Sequence, residues 1–446
     1  MTVRLSQPLT RVLGTSELSF RYKTKGKMDM NYRMLNPRDF LSILHGQHIT
    51  DLPKLVSRIC GTCSVSHKIA ATKAIELALD IEAPPLAKTL RELTLLGEIL
   101  RSHTYSVFFS SFPDLLGLAE TISRQDILGG SKVQNRLRSQ GFSLLQKTNE
   151  MVETISGCQT LSPAIVPGGF LRNMTSEESK SLRQSLQLGL SGIRWAKELY
   201  RSLLGEVSDD VVSFELESPS YVSCFDTKKN RFSGSRNISI ISSNGDNHTF
   251  PPLGYSDSLK IQHKSESPTS SVYILKEKPD SLLLAGPYAR LAALKNISGQ
   301  ADSRHQGISN MIYAGLLRLD EMEFCTLRAH SLLENEWMPE GELVVPWDSR
   351  EGVGGGCVES ARGSLFYRME INGNGLVKEI DICTPTELNA GSMVQLLMKV
   401  TKNCSKLGWS KDRIIGYAKM AIRSFDPCVF CATHSKMGHR SSKMQS

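Results

Sequence analysis

Apolar residues first settle into a helical rhythm after residue 63. Ile69, Ala70, Ala74, Ile75, Ala78 and Leu79 recur at three- and four-residue spacing until Pro84-Pro85 ends the run. A second periodic stretch, from Leu86 to about Phe112, puts Leu90, Leu93, Leu96 and Leu100 on one face. A third runs from about Gly130 to Ile155 and breaks at Pro163 and Pro167-Gly168-Gly169. Thr175-Ser176-Glu177-Glu178 has the form of a capping box and predicts a helix to about Val207, with Leu182, Leu186, Leu190, Ile193 and Leu199 facing a core. These segments add up to a bundle of long helices.

Elsewhere the rhythm changes. Residues 1–57 mix short strand-like and turn-like pieces. Within 208–282, Val211 to Phe214, Asn237 to Ser242 and Ser271 to Leu275 are β-rich runs separated by Ser, Asn, Asp and Gly, which predicts a small strand-containing lobe or insertion. Helices resume to about Leu333. Gly352 to Gly363 reads as a glycine-rich loop, without the Gly-Lys-Ser/Thr of a phosphate-binding loop. A hairpin follows, Leu365–Met369 and Val377–Ile382 around Asn372-Gly373-Asn374-Gly375, and a last helix spans about Lys411 to Ile422. The expected class is α+β, predominantly helical: a long-helix bundle with small peripheral β lobes.

Composition narrows the function classes. The 446 residues suffice for a large core, and Lys+Arg 53 against Asp+Glu 45 gives a net charge of +8 with no basic block. A nucleic-acid surface would cluster those cations, so a mixed, solvated surface is the expectation. No run approaches 18 apolar residues, which predicts no membrane span. The first residues, Met1 to Pro8, lack the apolar core of a signal peptide, so a cytoplasmic location is expected.

Six of the ten cysteines are scattered singly, but four are not. Cys60-Gly61-Thr62-Cys63 is followed by His67, and Cys428-Val429-Phe430-Cys431 by His434, with 364 residues between Cys63 and Cys428. Each Cys-x-x-Cys turn holds two sulfurs within reach of one metal, so together they can offer four thiolates. A tetrahedral structural zinc site is one reading, although zinc ribbons place their pairs about 15–20 residues apart. A pair at each end of a domain-sized chain suits a site in the core.

Arg58-Ile59-Cys60-Gly61-x-Cys63-x-x-x-His67 and Asp426-Pro427-Cys428-x-x-Cys431-x-x-His434, the latter preceded by Arg423-Ser424-Phe425, together resemble the paired signatures of the nickel–iron hydrogenase large subunit. Thr10 to Gly14, Ser102-His103, Val166 to Gly169, Ala285 to Leu291, Glu359 to Gly363 and Pro385 to Asn389 are similar to further segments of that family, and the likeness is weakest across 208–282.

The resemblance implies a single domain over 1–434 that cleaves dihydrogen reversibly and heterolytically. Cys60 and Cys428 would be terminal nickel ligands, with Cys63 and Cys431 bridging nickel to an iron that carries cyanide and carbon monoxide. Cys428 would take the first proton, Arg362 would place a fixed charge over the open coordination site, His67 would donate to a bridging sulfur, and Glu359 would support the ligands from behind. It also implies a magnesium ion beside His434, a partner small subunit carrying iron–sulfur clusters, and an endopeptidase that removes Ser435 to Ser446 after His434.

Two acids of the family pattern are missing. Leu13 stands where a glutamate would carry protons from the terminal cysteine, and Leu41 where one would help bind magnesium. Glu17, four residues beyond Leu13, or a water chain is the candidate substitute. A hydrogen-sensing regulator and a zinc-stabilised structural protein are the alternative functions. The terminal electron acceptor is not encoded here.

Overall fold

In the computed structural model, the described residues are 3–22, 28–35, 40–117, 132–206, 214–235, 237–242, 245–262, 272–298 and 309–432. The long helices are α1 (Ser64–Leu79), α2 (Pro85–Ser106), α3 (Lys132–Ser156), α4 (Ser176–Glu206), α5 (Pro287–Ser298), α6 (Ala314–Asn335), α7 (Ala390–Lys406) and α8 (Lys411–Arg423). The capping box at the start of α4 is present: Glu178 N donates to Thr175 Oγ1 at 3.1 Å, and Thr175 N to the Glu178 carboxylate at 2.8 Å.

Helix α2 is the axis of the bundle and departs from its one-faced pattern. It packs against α1, α3 and α6, so its polar residues are buried along with its leucines. Each buried charge has a partner, as a low-dielectric interior demands. Arg91 forks onto Glu76 of α1 at 2.6 and 3.1 Å. Glu92 accepts from the amides of Phe232 and Ser233, and Glu98 accepts from the amides of Val65 and Ser66 at 2.7 and 3.0 Å. The last contact satisfies two of the orphan N–H groups at the start of α1, immediately after Cys63.

Three antiparallel strands, β1 (Val3–Pro8), β2 (Ser16–Tyr22) and β3 (Met28–Met34), form the amino-terminal sheet. Leu18, Phe20 and Tyr32 on one face are fully buried against α5, α7 and α8. The lobe within 208–282 contributes β4 (Ser220–Ser223), β5 (Ile238–Ile241) and β6 (Asn247–Phe250), joined by β7 (Leu283–Ala285) in the order β7-β4-β5-β6. It is not a detached insertion, because Val222, Ile238 and Phe250 share an apolar cluster with Cys357, Phe366 and Cys383 of the carboxyl-terminal sheet. The expected strand at Val211 to Phe214 falls mostly outside the described residues.

The glycine-rich stretch is a strand rather than a loop. It forms β8 (Gly352–Ser360), paired with β9 (Gly363–Ile371), which pairs in turn with β10 (Val377–Cys383). The alternate glycines 352, 354 and 356 lie against the backbone of α1. A Cβ on them would fall 2.1, 1.9 and 2.1 Å from the carbonyl oxygens of Ala78, Ala74 and Ala70. Those three alanines are spaced four apart, so period two on the strand meets one face of the helix. Glycine is needed here for close approach rather than flexibility.

Helix α7 is unanticipated, although Met393, Leu396, Leu397, Val400 and Cys404 repeat at helical spacing along its buried face. Gly354→Ala should lower unfolding stability by about 3 kcal/mol or more, since neither backbone can yield. Gly416→Ala, on the exposed side of α8 with nothing within 4 Å, should be neutral or gain up to about 1 kcal/mol. Urea unfolding of the two variants checks the contrast.

Candidate metal centre

The four paired cysteines converge from the two ends of the chain. Cys60 lies in the turn before α1, and Cys63 is its N-cap residue. Cys428 precedes the short helix Val429–Ala432, which carries Cys431, so the two sulfurs project from one side of a single turn. The Sγ atoms approach to 3.3 Å for Cys60–Cys428, 3.0 Å for Cys63–Cys431 and 2.9 Å for Cys428–Cys431, and all four lie within 4.8 Å of one another. None forms a disulfide, all are at most 6% exposed, and all lie in the largest apolar cluster among the described residues. Burial pushes the thiols of Cys63 and Cys431 well up, whereas hydrogen bonds from Cys428, Cys431 and Cys63 pull Cys60 well down. Among the described residues this is the one group with the donors and spacing for a metal.

Backbone contacts hold the second turn in place. Asp426 adopts a left-handed conformation with φ 51°, a region that Asp tolerates better than most residues. Cys428 N donates to Thr386 Oγ1 at 3.1 Å, and Val429 N to Leu13 O at 2.8 Å. Gly14, with φ +96°, permits that approach, because a Cβ there would lie 2.7 Å from Val429 Cβ. Asp114 braces the same region by accepting from Arg11 at 2.5 Å and from Arg423 at 2.7 and 2.8 Å.

Arg362 reaches the cluster from the turn between β8 and β9. Its Nε donates to Asp426 O at 2.7 Å, and its Nη2 pairs with the Asp426 carboxylate at 3.1 Å. Its Nη1 is buried and has no partner among the described residues. Burial alone would lower the guanidinium's pKa, but Asp426 and the charges of Cys428, Cys63 and Cys60 raise it above its ordinary value. A fixed cation with a spare donor therefore lies close enough to Cys428, Cys63 and Cys60 for their charges to act on it.

Glu359 touches none of them through its recorded bonds. It accepts from Cys224 N at 2.7 Å and from Arg290 Nη1 at 2.6 Å, and the Ser364 hydroxyl also donates to it. Arg290 also grips Glu321 at 2.6 and 2.7 Å and the carbonyls of Ser360 and Ala361, so this pair holds the turn that presents Arg362. His103 is a core residue bonded to Glu321 at 2.8 Å, and burial lowers its pKa. His67 lies one turn beyond Cys63 and meets Tyr367 Oη at 2.6 Å through Nδ1. Sequence reasoning did not find Tyr367, Glu98, Asp114 or Glu321. Arg290 and Arg423 lay inside stretches that it did single out.

Comparison with known proteins shows what this arrangement resembles. Residues 38–115 match the sequence profile described as "Nickel-dependent hydrogenase". Sulfhydrogenase 2 subunit alpha of Pyrococcus furiosus is 27% identical across 97% of this chain and 99% of its own length. The NAD-reducing hydrogenase HoxS subunit beta of Cupriavidus necator is 23% identical across 96% and 94%. A crystal structure of an NAD+-reducing [NiFe]-hydrogenase in the H2-reduced state superimposes with a TM-score of 0.85 at 25% identity, covering 97% of this chain and 100% of that one. The chain is thus similar to nickel-dependent hydrogenases along nearly its whole length, in sequence and in fold.

For a hydrogenase chain the departures become interpretable. Leu13 is bridged to Cys428 in the backbone, so the stretch holding it is in place and the side chain at that position is apolar. Glu17 does not fill the gap. Ser16 and Leu18 point into the core, and Glu17, on the opposite face of β2, accepts from Ser6 at 2.6 Å and lies beside Arg33. Leu41 is 5% exposed within the apolar core and cannot ligate magnesium, so the residues described here do not fit that ion. His434 and Ser435 lie outside the described residues. The four sulfurs do fit soft nickel and iron, and a closed tetrahedral zinc site would need no buried guanidinium near them.

Arg362→Lys should retain the charge yet lose at least about 100-fold in turnover, because a flexible ammonium cannot bridge Asp426 and the cluster as the planar fork does. Rate measurement at unchanged metal content checks this. Glu17→Gln should leave turnover and hydrogen–deuterium exchange within about twofold of the parent, as expected for a surface change remote from the chemistry.

Proposed function

We propose that this chain is the catalytic large subunit of a nickel–iron hydrogenase, cleaving dihydrogen reversibly into protons and electrons. The observation that carries the reading is the buried four-sulfur cluster with the guanidinium of Arg362 held near it, one N–H unpartnered among the described residues. When bound, a nickel–iron pair supplies the Lewis acid needed to polarise a substrate with no dipole of its own. Cys60 and Cys428 would hold nickel as terminal ligands, and Cys63 and Cys431 would bridge it to iron. Four thiolates balance the charge of two divalent metals in a site that solvent does not reach.

In this reading, Cys428 Sγ receives the proton as the H–H bond breaks. Arg362, tied by Nε and Nη2 to Asp426, keeps its remaining arm at the cluster and stabilises negative charge developing there. The apolar cluster around the sulfurs excludes bulk water. With leucine at position 13, the proton leaves by a route without a carboxylate at that point. Hydroxyl groups or ordered water serve instead, and two hydroxyls stand at the cluster: Thr62 Oγ1 lies 3.1 Å from Cys60 Sγ, and Thr386 Oγ1 accepts from Cys428 N at 3.1 Å.

The iron's cyanide and carbon monoxide ligands belong to the same proposal. So does a small subunit with iron–sulfur clusters, since the four cysteines are the one metal-holding group among the described residues and electrons must leave through another chain. No helix among the described residues is long and apolar enough to cross a membrane. None of the ten cysteines forms a disulfide, the state that a reducing cytoplasm maintains, and we read the chain as cytoplasmic.

Cys428→Ser or Cys431→Ser should abolish hydrogen-dependent reduction of an artificial acceptor and lower nickel content, because an alcohol is a poor ligand for soft nickel. A serine variant with parental nickel and activity would sink the four-thiolate assignment. We further propose that residues 435–446 are a maturation peptide released by a dedicated endopeptidase. Its loss would remove Lys436, Arg440 and Lys443 and take the formal charge from +8 to +5. Intact mass of the active protein should end at His434, and a fully active chain of 446 residues would exclude processing.

A further inference from the structure

Tyr367 stands at the centre of β9 with no exposed surface, opposite Gly356 of β8 and Ile382 of β10. Its hydroxyl meets His67 Nδ1 at 2.6 Å, with the two rings nearly perpendicular at 80°. His67 is 1% exposed, and its amide donates to Cys63 O at 3.1 Å, one helical turn back. Helical side chains lean towards the amino terminus, so the imidazole is carried over the turn that holds Cys63.

Which ring nitrogen bears the hydrogen follows from the phenol. A phenol with no exposed surface is disfavoured as phenolate, and burial pushes the pKa of Tyr367 up, so Oη keeps its hydrogen. Among the described residues, His67 Nδ1 is the acceptor recorded for it. A buried hydroxyl that failed to donate would forfeit about 1–3 kcal/mol, which settles the direction of this bond. Nδ1 therefore accepts, and the neutral ring carries its own hydrogen on Nε2.

We propose that Tyr367 is a positioning residue for the metal centre: it locks His67 in the Nε2–H form and so maintains a hydrogen-bond donor for the bridging sulfurs Cys63 and Cys431. This rests on the metal assignment made above for its consequence, though not for the tautomer itself. A donor to a thiolate drains electron density from it, and such bonds tune the potential of sulfur-bound metals. Tyr367 thus acts on the metals across two hydrogen bonds, from a strand some 300 residues away from the cysteine turn it serves.

Two measurements test the idea. Nitrogen-15 NMR of the metal-free full chain, labelled at histidine and assigned with a His67→Gln variant, should show His67 neutral and protonated at Nε2. Protonation at Nδ1, or at both nitrogens at neutral pH, overturns the proposal whether or not metal ever binds. In the assembled enzyme, Tyr367→Phe should shift the iron's carbonyl stretching band to lower wavenumber, because a thiolate that loses its donor pushes more density to the metal. Turnover should fall on the order of 10-fold, the lower end for partners of metal ligands.

His67→Gln should move the band as well, and adding Tyr367→Phe to it should move it no further. Parental bands in Tyr367→Phe, or additive shifts in the double variant, would contradict the assignment. If Tyr367→Phe fails to load metal, its metal-free spectrum decides: His67 should then populate both neutral tautomers, and an unchanged single Nε2–H form overturns the proposal. Diatomic bands absent from the parent enzyme would instead count against the metal reading and leave the tautomer result standing.

Discussion

Everything in this protein is arranged around one awkward requirement: four thiols from opposite ends of the chain must meet in a core that water does not enter. Cys63 and Cys431 are pushed by burial towards the protonated form, so the site is unfavourable for bare negative charge and becomes favourable only with cations to match it. The fold accepts this by placing a permanent cation, Arg362, beside the sulfurs and securing it to Asp426, two residues before Cys428. That ion pair links the β8–β9 turn directly to the carboxyl-terminal cysteine motif.

The supporting structure is a set of buried charges, each answered by another. Arg290 lies between Glu359 and Glu321 and also takes the carbonyls beside Arg362, while Glu321 engages His103 of α2. Glu98, from the same helix, closes the start of α1 just beyond Cys63. Removing one partner from such a buried pair costs about 3–5 kcal/mol, so these residues hold geometry as well as stability. The polar groups of α2 explain why a helix buried along most of its length is not purely apolar: it is the spine that braces the start of α1 and the Arg290 network.

How much of this could be read from the residues varied with the range of the contact. The helices with regular apolar spacing, the Thr175–Glu178 capping box and the two cysteine turns declare themselves locally. Tyr367, Asp114 and Glu321 do not, because each meets a partner 218 to 309 residues away in sequence and a single tyrosine or acid carries no mark of what it will meet. The glycines of β8 misled for a different reason: alternate glycines usually signal a flexible loop, whereas here they mark contact with the backbone of α1. Leu13 is instructive in the opposite sense. Its place beside Cys428 follows the family pattern while its chemistry does not, so backbone register and side-chain function have separated at that position.

The most direct test of the account is infrared spectroscopy of the purified enzyme with its partner subunit. Iron bearing carbon monoxide and cyanide at the four-cysteine site would absorb in a region free of protein bands, and the account predicts carbonyl and cyanide stretches that respond to hydrogen gas. A chain with its metals in place but no such bands, or with zinc held by Cys60, Cys63, Cys428 and Cys431, would contradict it.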